Sequence, residues 1–377
     1  MKSKRNLIPI WLLWAALVPA VVNAQFNFTA NNGTITITGY TGSGGAVTIP
    51  STINNLPVTS IGNNAFAYWY SLTSVTIPGS VTSIGTSAFG HCINLTNATI
   101  ANGVTSIGGD TFFYCTNLTS VTIPGSVTNI GGSAFYYCTK LTSVTIPGSV
   151  TSIGDYAFAY TSLTSVTIPN SVTNIGQFAF NFCTNLTSVT IPGSLTYINY
   201  YAFYSCTSLT NATIANGVTS IGVDAFYSCT SLTSVTIPGS VTNIEGSAFK
   251  YCTNLTGVYF QGNTPGSVNF VFSGDNNTTV YYMPGTTGWG PTFDDRPTLL
   301  WNPKIQAGGA NFGVRSNHFA FNITGTAGIP IEVEACTNLA NPAWSPLQTL
   351  SLTNGSFYFS EPLQTNNPGR FYRLRSP

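Results

Sequence analysis

Charge is what this chain has least of. Asp, Glu, Lys and Arg make up 6% of its 377 residues, against about 25% in an ordinary soluble protein. Solubility therefore falls to Ser, Thr, Asn and Gly. The formal net charge is +1, and setting aside Lys2, Lys4 and Arg5 at the N-terminus leaves 8 basic against 10 acidic groups. A balance so near zero gives no electrostatic hold on nucleic acid, where affinity follows the number of phosphates neutralised, and none on acidic lipid. Histidine is equally scarce: His91 and His318 are the two present. Past residue 25 no apolar run approaches the roughly 20 residues that cross a bilayer, so no membrane span is expected in the mature chain.

The first 24 residues have the three parts of an export signal: a basic start, an apolar core over residues 7–22, and small residues Val22-Asn23-Ala24 before Gln25. Cleavage is expected after Ala24, which gives a secreted or cell-surface protein. An uncleaved anchor is the competing reading; Pro9 and Pro19 shorten the apolar run below the length of a span. No Cys follows the apolar core, which argues against a lipid anchor.

What the chain has in plenty is repetition. The phrase "SLTSVTIPGSVTSIG" begins at Ser71 and returns with small changes. Aligned on its Leu, the copies give Leu72, Leu95, Leu118, Leu141, Leu163, Leu186, Leu209, Leu232 and Leu255. A fixed short period is the signature of a solenoid. Leu-x-x-Val-x-Ile puts Val75 and Ile77 on one side of a short strand and Ser74 and Thr76 on the other. Pro78-Gly79 ends that strand. A second extended piece turns Val81 and Ile84 inward, and a helical or irregular turn carries Ala88-Phe89. One unit has nothing to bury its apolar face against, so neighbours must share faces and the stack needs ends. "FNFTANNGTITITGY" reads as a hairpin turning at Asn32-Gly33, a cap over residues 25–46 covering a first strand at 47–49. A continued step of 23 residues, from Ile237 to Phe260 to Met283, makes "GVYF" and "VYYMP" two last coils. The solenoid is expected over residues 47–303 with eleven stacked strands. The spacing shortens by one between Leu141 and Leu163; the missing residue is placed at the Cys position, between Tyr160 and Thr161, with strand register left intact.

The order I-P-x-x-V-x-x-I-G-x-x-A-F-x-x-C-x-x-L, as in residues 123–141, resembles the BspA-like leucine-rich repeats of exported surface proteins, over about residues 45–260. The resemblance implies a mainly β solenoid of parallel strands and a role in adhesion to host or neighbouring cells. Departures are few: Trp69 stands in for Cys, Asn199 and Glu245 for Gly, Ala101 and Ala215 for the strand-ending Pro. Residues 304–377 lose the repeat and alternate apolar with polar residues ("HFAFNI", "IPIEVEA", "RFYRLR"), the pattern of a small β-sandwich. That module resembles the terminal "FYRL" modules of other exported bacterial proteins, and an anchoring or sorting role is a hypothesis for it.

No catalytic, cofactor or metal site is expected. His91 sits where other units have Tyr or Ser and reads as an outer-turn residue; His318 begins an alternating strand. Asp110, Asp155, Asp224 and Glu245 fall at most one to a coil. Asp294-Asp295, with Asp275 near in sequence, is placed in a loop after the last coil, and calcium there would require six or more oxygens. Seven cysteines form a ladder at the repeat spacing, Cys92, Cys115, Cys138, Cys183, Cys206, Cys229 and Cys252, read as buried free thiols acting as small hydrophobes in preference to disulfides between coils. Cys336, in the tail, has no evident partner.

The surface left for function is the outward rank of the first strand: Ser74 and Thr76, Asn97 and Thr99, Ser120 and Thr122, Ser143 and Thr145, Ser165 and Thr167, Ser188 and Thr190, Asn211 and Thr213, Ser234 and Thr236. A second rank of threonines follows from Thr82 to Thr242, and tyrosines recur on the outer turn. The bland reading is that hydroxyls keep a chargeless surface wet. The sharper one is a recognition face for a protein or glycan surface. Alternatives are a structural envelope or matrix component, an ice or crystal binder matched at about 4.8 Å per coil, and an enzyme with its site in the tail.

Overall fold

The structure, a computed structural model, describes residues 25–267, 270–363 and 369–376. The leader and its expected cleavage after Ala24 lie outside the described residues. The repeats stack as a succession of coils with no helix among the described residues. The first strand column runs through Gly45–Thr48, Leu72–Ile77, Asn97–Ile100 and Ser120–Thr122, then Ser165–Thr167, Ser188–Ile191 and Asn211–Ile214, and finally Ser234–Ile237, Gly257–Phe260 and Thr279–Tyr282. Neighbours pair in parallel, with Val75 opposite Ala98 and Val189 opposite Ala212. A second column of two-residue strands, Ser83–Ile84, Ser106–Ile107, Asn129–Ile130, Ser152–Ile153 and onward, forms the next side.

The third side is a run of tight turns. In the coil of Phe66, the N–H groups of Ala65, Ala67 and Trp69 close turns on Gly62, Asn64 and Phe66, while those of Asn64, Phe66 and Tyr68 reach the carbonyls of Thr86, Ala88 and Gly90 in the next coil. The alternation satisfies every second N–H between coils and needs left-handed backbone twice per turn, at Asn64 (φ 56) and Tyr68 (φ 61). The core is a column of phenylalanines from Phe66 to Phe272, all fully buried, with successive rings stacked at 5.0 to 5.9 Å. Each stacked pair adds about 0.5–1.5 kcal/mol beyond the area it buries.

Glycine after the second-strand Ile is dictated by the approach of adjacent coils. A Cβ on Gly131 would lie 2.6 Å from Gly109 N, and one on Gly154 2.5 Å from Gly132 N. Where Asn199 replaces this Gly the second column breaks, with no pairing between Asn174–Ile175 and Tyr197–Ile198; the Asn199 amide donates to Ile175 O at 3.3 Å in place of the ladder.

The ends are built from hairpins. Phe26–Asn31 and Thr34–Tyr40 pair antiparallel about Asn32 (φ 50) and Gly33 (φ 78), and the second of these strands joins Leu56–Ile61 at the head of the second column. At the other end three expectations are corrected. The step to the last aligned coil is one residue short: Phe260 pairs with Tyr282, not Met283, because the chain passes directly from Thr278, in the leucine column, into the strand at Thr279. The last parallel strand is Arg296–Leu300, beyond Thr279–Tyr282; with residues 143–145 carrying no strand, the first column holds eleven strands, the number expected but not the same set. And Asp294-Asp295 is no open loop but the turn of a hairpin joining Thr292–Phe293 to that strand, with both residues left-handed (φ 48 and 61).

The short coil is also corrected. Thr161 fills the cysteine column, buried, its hydroxyl donating to Phe158 O at 2.8 Å and lying 3.3 Å from Cys183 Sγ. The missing residue is therefore between Thr161 and Leu163. Register survives on the second column, Ser152 opposite Asn174. On the first, Thr164 N–H still donates to Thr142 O, the equivalent position, but residues 143–145 carry no strand, and the column is interrupted there and again between Asn211–Ile214 and Ser234–Ile237.

From Lys304 the strands are antiparallel. Lys304–Gln306, Gly313–Arg315, His318–Thr324 and Ser356–Pro362 form one sheet; Pro330–Cys336, Ser345–Ser351 and Phe371–Arg375 form the other. Phe321, Ile323 and Phe359 of the first meet Ile331 and Val333 of the second in one core.

Candidate ligand-binding face

Period two puts Val and Ile inward, so the residue between them and the one before face solvent. All sixteen outward residues of the first column are exposed or half-buried. Across eight coils they are Ser, Thr or Asn, so the face has no charge and no large apolar group. Among the described residues the side chains of Ser74, Thr76, Ser120, Thr122, Ser143, Thr145, Ser165, Thr167, Ser188 and Thr190 have no hydrogen-bond partner in the protein. In the two asparagine coils the pair bonds along the strand: Asn97 Nδ2 donates to Thr99 Oγ1 at 3.4 Å, and Thr213 Oγ1 to Asn211 Oδ1 at 3.5 Å.

The second threonine rank differs. Thr105 donates to Thr82 O at 3.2 Å, Thr128 to Thr105 O at 3.2 Å and Thr219 to Thr196 O at 2.9 Å, each clipping its coil to the one before. A third threonine column, missed from the sequence, does the same along the edge of the first strand: Thr96 to Thr73 O at 2.9 Å, Thr119 to Thr96 O at 3.0 Å. Its signal was the unvarying Thr of "SLTSV". Hydroxyl ranks thus divide into two that reinforce the backbone and one whose donors stay open in the serine coils from Ser120 to Thr190.

The outer turn carries rings whose faces are occupied. Tyr68, His91, Tyr114, Tyr137, Tyr160 and Phe182 stack in sequence at 4.5 to 5.5 Å. His91 lies within that column, between Tyr68 and Tyr114. The seven ladder cysteines are free and buried, each thiol donating to a Phe carbonyl of the previous coil, as Cys92 does to Phe66 O at 3.0 Å. Burial pushes Cys92 up to about 12 and Cys183 up to about 11, so these thiols stay protonated and unreactive. No group of three or more metal-ligating side chains occurs among the described residues. The Asp294 carboxylate instead accepts from Phe270 N at 3.0 Å and Phe272 N at 2.8 Å.

The face ends where its sequence changes. The outward position held by Thr236 is Tyr259, then Tyr281, then Leu299 in the last three strands. These pack beneath the C-terminal module with Phe321, Ile329 and Ile331, and the Trp301 indole donates to Pro330 O at 2.8 Å. No helix of the described residues is long and apolar enough to cross a membrane.

Parallel coils closed by a leucine column, with one polar strand face, define a leucine-rich repeat solenoid. The family model that matches is the BspA type leucine rich repeat region, in six copies over residues 59–185 and 151–279, and the chain belongs to that family. Among solved structures the chain is similar to the T. pallidum leucine rich repeat protein at 31% identity, over 55% of this chain and 88% of that one, with a TM-score of 0.43. A leucine rich cell surface protein from Faecalibacterium prausnitzii is 28% identical over 68% of this chain and 93% of that one, TM-score 0.38. The pneumococcal vaccine antigen PcpA is 21% identical over 68% and 85%, TM-score 0.45. No curated protein matches. The repeat family is one of bacterial surface proteins with binding or adhesion roles, and its solenoid is in general non-catalytic.

Proposed function

We propose that the chain is an exported adhesion or binding protein of the cell surface, contacting a protein or glycan surface through the outward rank from Ser74 to Thr236. On this reading residues 1–24 are a removed leader, 25–46 a cap, 47–303 the solenoid and 304–377 a terminal module. The carrying observation is the division among hydroxyl ranks: those flanking the face are bonded to backbone, while the side chains of Ser120, Thr122, Ser143, Thr145, Ser165, Thr167, Ser188 and Thr190 are unengaged over four consecutive coils, with no charge to repel either sign of ligand. Many weak polar contacts, repeated, add as avidity does. The test uses the chain from Gln25 to Pro377 on arrays of glycans and matrix proteins. Thr122→Lys, Thr145→Lys, Thr167→Lys and Thr190→Lys, introduced together, are expected to abolish capture, whereas Gln177→Lys with Asn185→Lys, exposed on another side, leaves it intact. Capture that survives the four lysines refutes the reading.

A further inference from the structure

One stretch of thirteen residues, "TNATIANGVTSIG", occurs twice, at 96–108 and at 210–222. In both copies Asn takes the outward place that Ser holds in the other six coils. Ala101 and Ala215 replace the strand-ending Pro and recover the hydrogen bond that Pro cannot make, each N–H donating at 3.0 Å to the preceding coil. An Asn-Gly turn follows, at Gly103 (φ 133) and Gly217 (φ 116). Identical in sequence, the two copies differ in surroundings.

The second copy faces the C-terminal module. Here the first column is interrupted, and a cleft of about 370 Å³ opens, lined by Asn211, Thr213, Asn216, Thr236, Gln261 and Arg375. That volume lies within the roughly 300–1,000 Å³ of small-molecule sites. Ile214 and Pro238, both buried, give it a small apolar floor. Three side-chain amides each offer donors and an acceptor. Among the described lining residues the one charge is Arg375, whose Nη1 lies 3.2 Å from the buried carboxylate of Glu334, which Arg373 also contacts at 2.5 Å. No aromatic or aliphatic anchor of the kind that centres a protein interface is present.

We infer that this cleft is a subsite for a neutral saccharide. Amides of Asn211, Asn216 and Gln261 pair with ring hydroxyls, the Arg375 guanidinium, oriented by Glu334, donates to another, and the sugar's C–H face rests on Ile214 and Pro238. A neutral ligand fits a lining made of amides and hydroxyls, whose one guanidinium is turned toward Glu334. The inference deepens the reading of the strand face as a binding surface, and rests on it, by naming where a ligand is held most specifically and of what chemistry.

The test is calorimetric titration of the chain from Gln25 to Pro377 with neutral gluco-, galacto- and manno-oligosaccharides and with uronic-acid oligosaccharides. Asn211→Ser restores the residue of the sister coils, so the fold is preserved, and is expected to weaken neutral-sugar binding about tenfold, the size of one good hydrogen bond. Asn97→Ser makes the same change in the copy that does not share a cleft with Arg375 and is expected to have no effect; binding is also expected to be insensitive to salt. Equal losses from the two variants overturn the cleft while leaving the strand face standing. Preference for the uronic acids, or no saccharide bound at all, overturns the ligand class. Retained sugar binding by the four-lysine variant of the face separates failure of the broader reading from failure of this one.

Discussion

Asp275 occupies the place that cysteine holds in seven other coils, its N–H donating to Phe272 O as Cys252 N–H does to Phe249 O. It is fully buried, and neither carboxyl oxygen has a partner. Burial raises it from an ordinary 3.8 to about 8, against the opposing pull of Arg296, whose Nη1 donates to the Asp275 backbone carbonyl at 3.2 Å. The folded state therefore prefers the neutral acid. Its stabilising effect is complete below about pH 4 and is lost as pH rises through about 8. Asp275→Asn is expected to flatten this window: urea midpoints of the two proteins converge near pH 4, and the variant is the more stable at pH 8.5. A wild-type midpoint that does not fall between those values contradicts the assignment. Residues of this kind were hard to read from the sequence. The cysteine column was plain from spacing, but Thr278 replaces the aligning leucine beside Asp275, and Thr161 hides its membership because the gap was assigned one position too early.

Elements were more legible than single residues. Val-x-Ile, Pro-Gly and Ile-Gly each have one mechanical meaning, and repetition in phase removes the ambiguity that a lone copy carries. What escaped was whatever the consensus does not contain. The hairpins at Asn54-Asn55 (φ 52 and 63) and Asp294-Asp295 (φ 48 and 61) share the pattern Thr-apolar-Asx-Asx-x-Pro at the two ends of the stack, yet neither belongs to a full repeat. Interruptions of the first column were invisible too, since residues 143–145 keep the consensus Ser-Val-Thr and yet carry no strand. The glycine column offers a direct check on how tightly coils approach. Gly154→Ala pushes a methyl group against backbone atoms of Gly131 and Gly132 at 2.5 to 2.8 Å, where nothing can swing away, while Gly148→Ala meets nothing within 4 Å. The first is expected to cost about 1–3 kcal/mol; the second, at ordinary φ, is expected to be neutral or to stabilise by about 0.4–1 kcal/mol. Chemical denaturation of both variants decides it, equal effects being incompatible with the packing described.

At the scale of the whole molecule the C-terminal module closes the solenoid. Tyr259, Tyr281 and Leu299 were visible in the sequence as breaks in a polar rank, but only the fold shows that the breaks are one continuous apolar patch with a lid. A chain ending at Pro303 is expected to expose it and self-associate, seen as a rise in light-scattering mass with concentration; Tyr259→Thr, Tyr281→Thr and Leu299→Thr together are expected to restore the monomeric mass of the truncated chain. A truncated chain that scatters like the full one, without those changes, shows the module to be no cover. The candidate face was legible as a row of outward hydroxyls, whereas the cleft beside Asn211 was not, because it exists only where two non-adjacent parts of the chain meet.

The ladder bonds between coils lie along the length of the stack, and this gives the molecule a mechanical grain. A pull applied between its two ends stretches those bonds one layer at a time, like teeth of a zip, and does not shear a whole sheet at once. The layers whose pairing is already missing in one column, at residues 143–145 and between 211–214 and 234–237, are where such a rod is expected to part.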